Sequence, residues 1–200
     1  MSVSPETRCT AFAGARRIAS GALRHVALVA QREVQAGHAP VLVFEDRSSR
    51  VIDLDLRGSS ADLLRRLAES EVPVRDEAEA AGAPPRRGPG RPKLGVVARE
   101  VTLLPRHWQW LNAQPGGASV ALRRLVEEAR RTNASRDRRR AAQETAYRFM
   151  AAMAGDAPGF EEATRALFAG QAARFEEHTA AWPDDVREHA ALLAVEALRG

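Results

Sequence analysis

Cysteine is nearly absent. Cys9 is the only one in 200 residues, which excludes an intramolecular disulfide and a cysteine-built zinc site and suits a reducing compartment. Aromatic residues make up 5%, so the core must be mainly aliphatic. No apolar run approaches the roughly 18 residues needed to span a membrane. The opening Met1-Ser2-Val3-Ser4-Pro5-Glu6 also lacks the apolar centre of a signal peptide. A soluble, cytoplasmic chain with no membrane partner is expected. Lysine is missing except for Lys93, so the remaining basic residues are all arginine. That bias marks a G·C-rich coding sequence, and the sequence pI near 10.4 is therefore no proof of nucleic-acid binding. The chain also has no glycine-rich phosphate loop and no nucleophile–base motif. The expectation is a protein that is not an enzyme and needs neither cofactor nor metal.

What is present suffices for one or two small α+β domains, since 44% of the residues are apolar. Residues 1–71 read as a ββαββα domain. Two short strands, within Cys9 to Gly14 and Ala15 to Gly21, turn at Gly14-Ala15. Leu23, Val26, Ala27, Ala30 and Val34 follow at helical spacing, ending at Gly37. Val41 to Glu45 and Arg50 to Leu56 read as strands, the second alternating Ile52, Leu54 and Leu56 with Val51, Asp53 and Asp55. A serine-capped helix carries Leu63, Leu64 and Leu67. Asp53 and Asp55 are the nearest approach to paired carboxylates, yet alternating acids on a wet sheet face are ordinary and no histidine accompanies them in sequence.

Residues 72–97 change character. Eight of the fourteen residues from Gly82 to Gly95 are glycine or proline, a composition that cannot pack a core and reads as a flexible linker. It carries Arg86, Arg87, Arg91 and Lys93. Gly90-Arg91-Pro92-Lys93 resembles half of an AT-hook, whose arginine lies in a narrow A·T minor groove. Pro89 stands where the full motif has an arginine. From Pro84 to Arg140 there are fourteen basic residues against four acidic ones, while the whole chain carries only +4. A basic centre between acidic ends offers a surface to phosphates or to an acidic protein, although a solvated arginine face is the commoner meaning of such a run.

Residues 98–132 read as one unit. Arg99 to Leu104 is rich in β-branched and apolar residues and stops at Pro105, which suits a first helical position. A short helix with Trp108, Trp110 and Leu111 follows, then Pro115-Gly116-Gly117, then an amphipathic helix with Ala118, Leu122, Leu125, Val126 and Ala129 on one face and Arg123 and Arg124 on the other. A single strand leaves its ladder groups unpaired, and a second copy of the chain would pair them. The order of elements resembles the ribbon-helix-helix family, in which two chains join strands into a ribbon that enters the major groove. The resemblance implies a homodimer on double-stranded DNA, with Arg99, Arg123, Arg124, Arg86, Arg87, Arg91 and Lys93 as candidate contacts. The same unit could equally serve dimerisation alone.

Residues 133–200 read as three further helices: Asn133 to Gly155, Phe160 to Ala180, and one opened by Pro183 with Asp184 and Asp185 in its first turn. Met150, Met153 and the phenylalanines belong to a core, and His178 and His189 lack a third metal ligand in sequence. Three stretches, 10–21, 90–131 and 153–189, resemble over nearly the full length a bacterial family catalogued as domain of unknown function 2239. That resemblance implies no activity. The expected function is a DNA-binding or regulatory protein working through a dimeric ribbon-helix-helix-like unit and a basic linker. The alternative is a non-enzymatic interaction or scaffold protein whose basic surface meets an acidic partner.

Overall fold

A computed structural model describes residues 4–37, 39–69, 97 and 99–199. The described fold is mixed α+β and mostly helical. Its order is β1 (Arg8–Ala13), β2 (Arg16–Ala22), α1 (Leu23–Ala36), β3 (Val41–Glu45), α2 (Ser60–Glu69), α3 (Pro105–Asn112), α4 (Gly117–Ala154), α5 (Phe160–Ala169), α6 (Ala172–Thr179) and α7 (Asp184–Leu198). Residues 1–72 with 135–200 form one compact unit and residues 73–134 a second.

The first unit is built on a three-stranded antiparallel sheet ordered β2-β1-β3. Gly14, at φ +56°, makes the tight reversal between β1 and β2 that a Cβ would strain. The register then slips by one between Ala11 and Phe12, a bulge that leaves Ile18 as the extra residue on β2. Central strand β1 is buried from Cys9 to Ala13, because both faces of the sheet are covered. Cys9, Ala11 and Val43 pack with Leu23, Val26, Ala27 and Ala30 of α1 and Leu63 and Leu67 of α2. On the opposite face Phe12 and Phe44 pack with Phe149, Met150, Leu167, Phe175, Trp182 and Val186 from α4 to α7 and their connections. Each large side chain so buried contributes about 1.5–3 kcal/mol. The C-terminal helices therefore complete the sheet's core.

Four elements differ from the sequence expectation. Arg50 to Leu56 is extended but is no strand: Val51 makes an isolated bridge to Phe44, and side chains take up backbone groups further on. Arg66 donates to the carbonyls of Asp55 and Arg57, both at 2.7 Å, and buried Gln31 donates to those of Leu56 and Gly58 at 3.0 and 3.2 Å. Ile52, Leu54 and Leu56 still face the core. The expected ββαββα order is thus observed as ββαβα. Arg99 to Leu104 forms no strand either, since no described segment of the chain pairs with it. The two helices expected on either side of Thr132 are a single 38-residue α4. Conversely, the helix expected over 160–180 is interrupted by Gly170, left-handed at φ +71°, giving α5 and α6.

Local rules hold at several ends. Ser59 caps α2 reciprocally: its hydroxyl accepts from the Asp62 N–H at 3.2 Å while the Asp62 carboxylate accepts from the Ser59 N–H at 3.2 Å. Gly37 ends α1 in the left-handed conformation. Asp184 and Asp185 lie in the first turn of α7.

Candidate nucleic-acid interface

Leu104 is extended at φ −65°, ψ 149° and precedes Pro105 at the start of α3, the conformation that a residue before proline prefers. Gly116 and Gly117, at φ +82° and +75°, turn the chain into α4. From residue 99 to 131 the fully buried apolar side chains are Leu111 and Ala121. Leu103, Ala118 and Leu122 are half-buried, and the other large apolar side chains are open to solvent: Trp110 is 50% and Val126 57% exposed, and Val101, Leu104, Trp108, Val120 and Leu125 are exposed too. Amphipathic periodicity is therefore present, but among the described residues most of its large apolar side chains stay exposed.

The candidate cations in this stretch are also exposed. Arg99 opens the segment that leads to Leu104 and α3, and Arg123 and Arg124 are neighbours on α4. The Arg123 Nε donates to the Ser119 carbonyl at 3.2 Å, one turn back, which leaves its charge unneutralised. Arg130 instead pairs with Glu127 at 3.1 Å. Among the described residues no ion pair engages Arg99, Arg123 or Arg124, and no hydrogen bond joins Arg99 to the other two. Arg86, Arg87, Arg91 and Lys93 lie outside the described residues.

Asp53 and Asp55 do not form a reactive pair. They sit on the irregular segment, and Asp55 is gripped by Arg57, whose Nε and terminal nitrogen donate at 2.8 and 3.1 Å. Those hydrogen bonds hold its carboxyl at about 2, so Asp55 cannot carry a proton near neutrality. Of the two histidines considered as ligands, His189 is buried against the rings of Phe12 and Phe149. Burial lowers its pKa, an effect that Asp46 opposes and Arg17 assists. Among the described residues no three His, Cys, Asp or Glu side chains converge to hold a metal. Cys9 is buried, and desolvation with the nearby Asp46 and Glu45 charges pushes its thiol up to about 12, which makes it inert as a nucleophile.

The family model described as an uncharacterized protein conserved in bacteria, DUF2239, matches residues 8–194. The chain belongs to that family. No curated protein and no solved structure matches it. In this DUF2239 chain no described helix is long and apolar enough to cross a membrane.

Sequence periodicity placed the phenylalanines of the C-terminal region in a core, and Phe149 and Phe175 are there. Phe168 is not. It stands 48% exposed beside the equally open Tyr147, in a cluster that α4 and α5 create together. The spacing of Phe160, Thr164 and Phe168, one helical turn each, was the available signal.

Proposed function

We propose that this chain is a DNA-binding regulatory protein whose residues 99–131 assemble a homodimer of ribbon-helix-helix type. The observation that carries the reading is the mismatch within this stretch: an amphipathic helix pair with two buried apolar side chains and five large exposed ones, next to the segment Arg99 to Leu104, which has no ladder partner among the described residues. A second copy supplies both missing components, an apolar surface for Trp108, Trp110, Leu125 and Val126 and a strand for Arg99 to Leu104. Two-fold pairing doubles the positive charge, so Arg123 and Arg124 of each protomer meet phosphates. Arg86, Arg87, Arg91 and Lys93 act as a basic arm, and the sheet unit serves as the ligand- or partner-sensing part.

Titration of a mixed-sequence duplex at several salt concentrations tests the DNA half of the proposal. Each neutralised phosphate contributes about −0.9 to the slope of log affinity against log salt. Replacing Arg123 and Arg124 with alanine removes two contacts per protomer, so the slope should become shallower by up to about four units. Arg91→Ala should cost more on A·T-rich than on G·C-rich duplex, because the narrow A·T groove concentrates negative potential. Absent or salt-independent binding would instead turn the basic surface toward an acidic protein partner.

A further inference from the structure

The compact unit of residues 1–72 and 135–200 carries an aromatic cluster that reaches from the edge of its core, where Phe160 packs, out to solvent. Tyr147 of α4 lies between two rings of α5, with centroids 6.4 Å from Phe160 and 6.0 Å from Phe168. Tyr147 is 40% exposed, Phe168 is open to a similar degree and Phe160 is half-buried. Their ring planes are inclined at 34° and 58°. Tyr147 and Phe168 keep a large share of their surface in solvent. Rings assembled only for packing would be buried, as those of Phe12, Phe44 and Phe149 are in the same unit.

The cluster also has a charged approach. Arg136, Arg140, Gln143 and Tyr147 recur at steps of four, three and four residues on α4, which puts them on one face. At 1.5 Å per residue Arg140 stands about 10 Å from Tyr147 along the helix axis. Residues 136–140 hold four arginines against Asp137. Asp137 pairs with Arg140 at 3.7 Å between exposed groups, a screened contact of little strength. Arg136 and Arg138 are exposed and engage no ion pair among the described residues. Arg139 is spent locally, its guanidinium lying where a Cβ on Gly170 would stand. Gln143 also has a positioning task, since its Nε2 donates to the carbonyls of Leu167 and Phe168 at 3.2 and 3.0 Å. Those two bonds anchor the end of α5 to α4 and fix Phe168 against Tyr147.

We propose that Tyr147, Phe168 and Phe160 form a stacking platform for unpaired bases of a single-stranded nucleic acid whose phosphates run along Arg136 and Arg140. Exposed aromatic faces alone would suit many partners. A polyanion with aromatic bases fits this one because the rings end an arginine face on which Arg136 engages no ion pair among the described residues and Arg140 keeps only the exposed Asp137 contact, and single-strand binding combines those two features. This goes beyond the duplex reading above. It uses a different unit and different side chains, and it needs bases free of a partner strand.

The test is fluorescence anisotropy of the full chain with labelled oligo-dT, oligo-U and an abasic deoxyribose-phosphate tract of equal length. The first two should bind, and dT against U shows whether DNA or RNA is preferred. The abasic tract should bind more weakly, since it keeps the phosphates and removes the stacking. Tyr147→Ala and Phe168→Ala should each weaken oligo-dT about 5- to 150-fold, the range of one lost base–aromatic stack. Tyr147→Phe should keep wild-type affinity, and neither alanine variant should alter duplex binding through Arg123 and Arg124. Arg140→Ala should weaken all three ligands alike. Equal binding of the abasic and dT tracts, or an unaltered affinity in a Tyr147→Ala protein with a native circular dichroism spectrum, overturns the platform. So does a Tyr147→Ala variant that changes sedimentation instead of nucleic-acid binding, which would assign the rings to a contact between copies.

Discussion

A proline scan of the extended segment separates a true ribbon from a merely sticky surface. In an antiparallel pair, successive residues alternate between pointing N–H and C=O at the partner strand and pointing them away. Of the neighbours Val101 and Thr102, one therefore donates to the second chain and the other does not. Val101→Pro and Thr102→Pro both suit an extended backbone, and both lie where no described part of the same chain pairs with them. One variant removes a ladder donor in each protomer, hence two bonds per dimer by symmetry. At about 0.5–1.5 kcal/mol net per bond the loss is about 1–3 kcal/mol, or roughly a 5- to 150-fold rise in the dimer dissociation constant. The adjacent variant should dimerise nearly as the wild type does. Sedimentation equilibrium over nanomolar to micromolar concentrations reads both constants. Equal effects at the two positions, or none at either, would refute strand pairing, and a wild-type chain that is monomeric at micromolar concentration would refute the dimer altogether.

Two further outcomes concern the sheet unit. Phe149→Ala removes a fully buried ring lying 5.3 Å from Phe12 and 5.2 Å from Phe44, and should destabilise the unit by about 3–5 kcal/mol in urea, with sheet and C-terminal helices lost in one transition because they share this core. A cost below about 1 kcal/mol would mean that the two parts do not depend on each other. Burial holds the His189 pKa below its ordinary 6.5, so between the two values the unfolded chain binds more protons than the folded one, and stability should fall as pH drops below about 7 until the folded value is reached. His189→Phe should flatten that segment of the denaturation midpoint against pH; an unchanged slope would assign it to another group.

Where a local cue and the tertiary environment agreed, the sequence was readable. Gly14, Gly37, Ser59 and Pro183 each mark an element end by chemistry that the backbone must obey, and the structure places a turn, a C-cap, an N-cap and a helix start at these positions. The expected boundary between two helices lay at Thr132, with the second beginning at Asn133. Asn133 instead donates its side-chain amide to the Ala129 carbonyl at 2.9 Å, and no glycine or proline occurs from Ala118 to Ala154, so nothing stops α4. Gly170 did the reverse: the apolar period ran through it, while its left-handed backbone ends α5, and the Arg139 guanidinium fills the place a side chain would take. Arg50 to Leu56 kept its alternation but lost its ladder to Arg66 and Gln31, side chains distant in sequence. The Tyr147 cluster was half legible: the spacing of Phe160 and Phe168 puts them on one helix face, but the approach of Tyr147 depends on the contact between α4 and α5 that Gln143 bridges.

The remaining difficulty lies in what a ribbon can do with these particular side chains. Alternation puts Glu100, Thr102 and Leu104 on one face and Arg99, Val101 and Leu103 on the other. Within the chain Leu103 is the half-buried residue of the six, which favours the phase with Leu103 toward the helices. Glu100 and Thr102 then face a bound groove, and a carboxylate there repels phosphates and offers an acceptor only to the few donors at base edges. A ribbon of this composition is better suited to holding two chains together than to reading bases. Affinity would then rest on Arg123, Arg124 and the basic linker, whose phosphate contacts carry no sequence information. The proposed dimer should therefore bind duplex DNA with a steep salt dependence and little sequence preference beyond A·T content. A strong preference for one mixed sequence would require the opposite strand phase.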